Sequence, residues 1–403
     1  MSKREEPDSA SASTRLTNLS DTLRSEGWGW VLRRLRYRTP HTELGRKIHA
    51  GARILLGKVL YPKRLLLRSL GTEQYMDRQT LYAFYDLQVS PVTFDASWFA
   101  VAADRRRRQL GLSHIHFIII PGNFHGFREE RAHYEASVDT ATRAWRLHHV
   151  VLPIFTLAPG FSGFSLLPSR KAAQRFFGRE NPHVYPEHFE PWLPVSHHPS
   201  ELLKPLISQQ APTGTLQSSL QGLRYVNRWA ESRLKNRRLI SITLRDYAFM
   251  KERNSDIQVW TNFARRLDPT RFFPVIILDT EATLDPLPKI LEGFEIFREA
   301  SWNVPLRMAL YEISYLNLGV NNGPMFMCAL NKRTRLLIFK LITASVPQTT
   351  KELIASLGFE IGGQLPFATS FQKLVWADDT LPVIEQEFQD MVEHIEDQEV
   401  VHA

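Results

Sequence analysis

Among its 403 residues the chain has a single cysteine, Cys328. A lone thiol forms no intramolecular disulfide and contributes at most one ligand to a metal, which excludes a disulfide scaffold and a multi-cysteine zinc site. A reducing, cytoplasmic setting fits that scarcity. No run of 18 apolar residues occurs, so no transmembrane helix is expected. The N-terminus, Met1-Ser2-Lys3-Arg4 followed by polar Ser, Asp and Thr residues, lacks the apolar core of a secretory signal. There is no Asp-X-Asp, and no period that marks a repeat protein. The histidine pairs His114/His116 and His148/His149 lack third and fourth ligands at a supporting spacing, so no metal site is expected.

What is present is the composition of a folded protein. Apolar residues make up 43% and aromatics 11%, enough for real cores and too much for a largely disordered chain. The length points to two domains. The net charge of +8 is unevenly placed. Between Arg24 and Arg68 stand twelve Lys/Arg and two Glu, a local +10, so the other residues sum to −2. A nucleic-acid-binding protein would carry basic groups on its folded domains as well, so no nucleic-acid partner is expected.

Hydrophobic periodicity divides the chain into five parts. Residues 1–20 read as a polar tail. Residues 21–75 form a basic helical extension, in which Trp28, Trp30, Leu32 and Leu35 alternate with arginines and Leu44, Ile48, Ala52, Leu55 and Val59 recur at helical steps. Residues 76–215 hold a first α/β domain and a connection. Strands are expected over Leu81–Val89, His116–Ile120 and Val150–Pro153, and helices over Trp98–Gly111 and Tyr134–Leu147. The stretch 178–215, rich in Pro, His and Ser, reads as a crossing between domains. Residues 216–375 alternate strand and helix, with strands at Leu239–Leu244, Phe273–Leu278, Leu316–Val320 and Leu336–Leu341. That alternation with short turns implies a parallel sheet covered by helices. Residues 376–403 hold a C-terminal helix from Asp378 to Val392, expected to pack back across the domain boundary, and a tail.

Two stretches of the second half have the chemistry of an anion site. Asn321-Asn322-Gly323-Pro324 turns a strand into a helix. Ligands of doubly wound sheets collect beyond strand C-termini, and the N–H groups of a helix start attract anions. Arg245 stands just past a strand, and Lys251, Arg253 and Asn254 lie in the loop before a helix that Ser255 can cap. Guanidinium groups there suit a diphosphate. The plainer readings are a well-made turn and solvated surface charges.

Together these stretches resemble the nucleotide-sugar-binding domain of GT-B-fold glycosyltransferases, in the heptosyltransferase-like branch, over about a quarter of the chain. That family has a Gly-Asp-Ser-Gly-Pro-Met-His-like turn where this chain has Gly319-Val320-Asn321-Asn322-Gly323-Pro324-Met325-Phe326. Asn321-Asn322 thus replace an acidic-hydroxyl pair, and Phe326 replaces a histidine. The resemblance implies two Rossmann-like α/β domains and sugar transfer from a nucleotide-sugar to a glycan or lipid-linked acceptor, without a metal or other cofactor. The donor would lie on Arg245, Lys251, Arg253, Asn254, Asn321, Asn322, Gly323 and Pro324. The base that takes the acceptor proton would come from the first domain, where Asp95, Asp86 and His125 are the candidates. Asp95 also reads as a helix N-cap, and Asp86 as a structural acceptor.

The extension over 24–68 reads two ways. It lies on an anionic membrane, each basic residue adding on the order of 1 kcal/mol, or it packs on the first domain. The first reading places the protein peripherally at the inner face of a membrane. The contrasting functional reading is a non-catalytic peripheral membrane or scaffold protein on a degenerate version of this fold.

Overall fold

A computed structural model describes residues 77–130, 132–173, 183–187, 189–191, 194, 216–280 and 285–401. The chain divides into two compact units. Met1–Gln74 with Phe177–Arg179 is one, and it lies outside the described residues, as do the expected tail and basic extension. The other unit holds two parallel sheets.

Strands β1 (Thr80–Asp86), β2 (His114–Ile120), β3 (Phe161–Leu166) and β4 (His183–Tyr185) make the first sheet, in the order β3-β2-β1-β4. Every pairing in it is parallel. β1 is buried along its whole length and β2 from Phe117 onward, on both faces, as a helix-covered parallel sheet requires. β3 reads Phe-Ser-Gly-Phe-Ser-Leu and sits at the edge, half exposed, which is why its sequence gives no apolar run. β4 lies inside the stretch expected to be a connection.

The second sheet contains β5 (Arg238–Thr243), β6 (Phe272–Ile277), β7 (Glu295–Ile296), β8 (Leu316–Val320), β9 (Leu336–Phe339) and β10 (Gln372–Leu374). Its order, β10-β9-β8-β5-β6-β7, is all parallel. Numbered within the sheet this is 3-2-1-4-5-6, the Rossmann order, with its switch point between β5 and β8. The fold is therefore α/β with two Rossmann-like sheets, as expected.

Several helices start where a side chain caps them. α1 (Ala96–Gln109), which follows β1, does not; α2 (Thr140–Arg146) is capped by Asp139 at the Thr142 N–H. α3 (Leu220–Leu234) is capped by Ser219, α4 (Ile257–Arg266) by Asp256, and α5 (Val304–Ile313) by Asn303. Ser255, expected to cap α4, instead accepts the Arg245 N–H at 2.9 Å. α6 (Gly323–Ala329) is capped by Asn322, whose Oδ1 takes the Met325 N–H at 2.9 Å.

Two expectations are corrected. Val150–Pro153 is not a strand: α2 runs on through a π-helical turn, Leu147–Val151, into Leu152–Phe155. Its unbroken apolar run suits a buried helix as well as a buried strand, and the wide turn precedes Pro153, which has no N–H to give. The C-terminal helix α7 (Leu381–Val401) is longer than expected and stays with the second sheet. Its Phe388 meets Phe263 of α4 and Phe272 of β6 edge-on, and its Glu396 pairs with Arg238 and Arg271.

One apolar cluster runs through both sheets, from Leu81, Phe99 and Phe117 to Met308, Met325 and Ile338. Trp98 of α1 packs on Phe326 of α6, ring centroids 5.9 Å apart, and on Phe367. Phe326, where the resembled family has histidine, is thus an apolar joint between the two halves. Above it a cleft opens.

Candidate functional site

The cleft is a cavity of about 310 Å³. Its lining includes Thr93, Phe94 and Asp95 from the loop after β1, Tyr134, and Arg146 with Val150 from α2 and its π turn. From the second sheet come Arg245, Tyr247, Phe249 and Arg253 after β5, Asp279 and Thr280 after β6, Arg307 of α5, and Asn322-Gly323-Pro324 after β8. The cavity therefore lies at the strand C-termini beside the β5–β8 switch point, where open α/β sheets bind ligands.

The loop after β5 is built on Arg245. Its guanidinium donates to the Met250 carbonyl (3.0 Å), the Phe249 carbonyl (2.8 Å) and Asn254 Oδ1. Asn254 also accepts the Tyr247 N–H and donates to the Tyr247 carbonyl. Lys340 Nζ fastens the loop's end by donating to the Asn254 carbonyl at 3.0 Å. Arg245 and Asn254, expected to hold a donor, thus fold the loop. Lys251 is exposed and does not line the cavity.

Arg253 is the cation this loop delivers. Its guanidinium donates to the Asn321 carbonyl at 3.1 Å and lies 3.8 Å from Met250 Sδ. Among the described residues no carboxylate pairs with it. Burial, helped by the neighbouring Arg245 and opposed by Asp95, lowers its pKa to about 10, so it stays charged at neutral pH. Arg307 is spent differently: it donates to the carbonyls of Ala300 and Ser301 and lies under the Phe94 ring, 5.7 Å from its centroid.

The turn after β8 is placed as expected, with its groups otherwise engaged. Asn321 donates to the Leu341 carbonyl at 2.9 Å. Asn322 caps, and Pro324 has no N–H. Gly323 lies against Phe94: a Cβ there would stand 2.5 Å from Phe94 Cβ. The glycine accommodates a protein ring at the place where sequence reasoning put a phosphate.

The three base candidates separate. Asp95 lines the cavity. It holds the N-cap position of α1 but makes no capping bond; instead its Oδ2 accepts the Thr93 hydroxyl at 2.9 Å. Asp86 is fully buried and bound by both Arg170 nitrogens, at 2.6 and 2.8 Å. It does not line the cavity, and the pair is structural. His125 is exposed at the tip of the tight Pro121–Phe127 turn, with φ +48°, and does not line the cavity either.

Sequence reasoning missed Arg146, Tyr134, Tyr247, Asp279, Thr280 and Arg307. Asp279 and Thr280 were within reach, because they follow an apolar strand as Arg245 does. Arg146 was hidden by the false strand just after it. Among the described residues no group of three or more His, Cys, Asp or Glu side chains gathers to hold a metal, and no helix is long and apolar enough to cross a membrane.

No family model matches the sequence, and no curated protein does. Solved structures do. Escherichia coli ADP-heptose lipopolysaccharide heptosyltransferase II matches at 9% identity and a TM-score of 0.44, over 79% of this chain and 99% of that one. A family 9 glycosyl transferase from Veillonella parvula matches at 10% identity and 0.36, over 66% and 83%. The wall teichoic acid polymerase TagF matches at 10% and 0.31, over 86% and 91%. The first is named a heptosyltransferase and the second a glycosyl transferase. At these values the chemistry of the cleft rests on its own side chains.

Proposed function

We propose that this cleft transfers a sugar from a nucleotide-sugar to an acceptor hydroxyl. The observation that carries the reading is the meeting of Asp95, from the first sheet, and Arg253, from the second, in one cavity at a sheet switch point. Transfer breaks the bond between the anomeric carbon and the diphosphate, and the acceptor oxygen takes that carbon. The charge left on the diphosphate falls to Arg253, held in place and partly desolvated, where a cation acts most strongly. The acceptor proton goes to Asp95, whose other oxygen is steadied by Thr93. No metal is required in this scheme, because Arg253 supplies the positive charge. The acceptor is a glycan or lipid-linked glycan of polysaccharide or glycoconjugate assembly, met at the cytoplasmic face of a membrane that the 24–68 segment binds.

The test is a panel of nucleotide-sugars in thermal-shift and calorimetric assays, followed by transfer assays with whichever binds. Arg253→Met should lose binding. Asp95→Asn should keep binding and lose transfer. No stabilisation by any member of the panel removes the reading. It would then favour the non-catalytic scaffold, to which the covering of Gly323 by Phe94 and the engagement of Arg245 within its own loop already lend support. Flotation with liposomes that is unchanged by deleting residues 1–69 would remove the membrane part alone.

A further inference from the structure

Tyr247 joins the two sides of the cleft. Its hydroxyl accepts from Arg146 Nη2 at 2.9 Å, a contact between residues 101 positions apart in the chain. Its ring meets two guanidinium groups, that of Arg146 at 5.2 Å and that of Arg245 at 5.6 Å from its centroid. Beside it, Tyr134 meets Phe249 edge-on at 5.4 Å. Arg146 and Tyr134 belong to the first sheet's half; Tyr247, Phe249 and Arg245 belong to the loop after β5. Arg146 is also the last residue before the π-helical turn at Leu147–Val151, and both Arg146 and Val150 face the cavity. Such turns recur at functional sites because they re-aim side chains.

The loop that Tyr247 fastens is also held to the second sheet's half, where Lys340 donates to the Asn254 carbonyl and Arg253 to the Asn321 carbonyl. Residues 246–254 contain one 3-10 turn, Lys251–Arg253, and Met250 sits in the left-handed region at φ +59°. Inside the loop, Arg245 and Asn254 hold the backbone together. Across the cleft, Arg146 and Tyr134 hold it outward. Arg253 lies six residues beyond Tyr247 in the same loop.

We propose that Arg146 and Tyr247 are positioning residues: the Arg146–Tyr247–Arg245 stack ties the loop to the first sheet's half and so sets where Arg253 stands in the cleft. This rests on the reading of Arg253 as the anion-binding group. A consequence is that the two half-sites are coupled. A change on α2, which touches the acceptor side, reaches the anion side through one tyrosine.

The test has two arms, on the full chain. The first needs no ligand. Hydrogen exchange is followed at the amides of Tyr247, Arg253 and Asn254, which donate within the loop. Tyr247→Phe keeps the ring and removes the hydroxyl; Arg146→Gln removes the guanidinium. Losing a hydrogen bond from a charged donor should speed exchange at these amides about tenfold in either variant. The double variant should exchange no faster than the faster single one, and the β5 amides of Ile240 and Ile242 should be unchanged. Loop exchange within about twofold of the parent, multiplying effects in the double variant, or equal acceleration in β5, would each overturn the proposal. The second arm uses inorganic pyrophosphate in calorimetry. Both variants should bind it at least about threefold more weakly than the parent, and equal binding overturns the claim that the stack places Arg253. If the parent itself does not bind pyrophosphate, the anion-site reading fails, and the exchange arm still decides the role of the stack.

Discussion

Gly323→Ala tests whether the contact between the two halves of the site is as tight as its geometry says. A Cβ at this position stands 2.5 Å from Phe94 Cβ and 3.2 Å from Phe94 Cγ, while ordinary contact begins at 3.4 Å. Phe94 Cβ, which moves only with its backbone, would have to retreat by 0.9 Å, the difference between 3.4 and 2.5. It has little freedom to do so. The Phe94 carbonyl accepts both the N–H and the hydroxyl of Ser97 in the first turn of α1, and the buried Arg307 guanidinium lies against the ring. Overpacking of this kind costs about 1–3 kcal/mol. Alanine's preference for a helix returns up to about 1 kcal/mol, less at a first-turn position. The net expectation is a loss of about 1–2 kcal/mol, read from urea or guanidinium unfolding with an unchanged slope. In a Phe94→Gly background, which removes the Cβ that is struck, the same substitution should be neutral or mildly stabilising. A Gly323→Ala variant as stable as the parent, or one with the same loss in both backgrounds, would refute the idea that this glycine exists to admit Phe94.

Three further outcomes follow from the same geometry. Arg245→Ala should cost about 3 kcal/mol and expose the 246–254 loop to protease, because two carbonyls and Asn254 lose a buried donor; Arg245→Lys should not rescue it, since one ammonium cannot span three acceptors. Weakened ligand binding with full stability would contradict that role. The Glu396 carboxyl is held below its ordinary pKa, chiefly by its bond from Arg238 and then by Arg271. Its contribution to docking α7 is therefore present above the ordinary glutamate range and is lost as pH falls through the lowered value. Glu396→Gln should lack that part of the acid sensitivity, measured as helix content against pH, and identical acid profiles would contradict the assignment. Pyrophosphate affinity should fall as pH rises through about 10, where Arg253 loses its proton, and an affinity that stays constant through that range would contradict Arg253 as the anion's partner.

Much of the second sheet was legible because its strands are short apolar runs closed by Gly, Pro or polar residues, and its helices carry one apolar face. Leu316–Val320 is a strand with the expected bounds. The first sheet was less so. β3 alternates serine and glycine with its apolar residues and lies at an edge, so burial never wrote a clear pattern into it. The run from Val150 to Phe155 carries no polar side chain because that part of the helix is largely buried, and periodicity cannot separate such a run from a strand. The site shows the same division. Position along the chain placed Arg245, Arg253 and Asn322-Gly323-Pro324 around one cavity, because residues past strand ends in a doubly wound sheet must converge. What each does with its polar atoms was not legible, because that depends on which carbonyls a long loop brings near it.

That dependence moves the centre of the site. An arginine just past a strand and an asparagine-glycine turn before a helix both suggest an anion. The folded chain spends the arginine on two carbonyls and an amide, and gives the glycine to a phenylalanine. Arg253, half-buried in the cavity wall, receives its setting from the others: Asn321 offers a carbonyl, Arg245 shapes the loop, and Tyr247 ties that loop across the cleft. A half-buried cation of this kind is partly desolvated, which disfavours its charge, and no carboxylate among the described residues pairs with it, so an anionic ligand would relieve it. The argument for an anionic ligand therefore passes from the turn, where motif reasoning placed it, to the one guanidinium whose surroundings are hardest to explain without one.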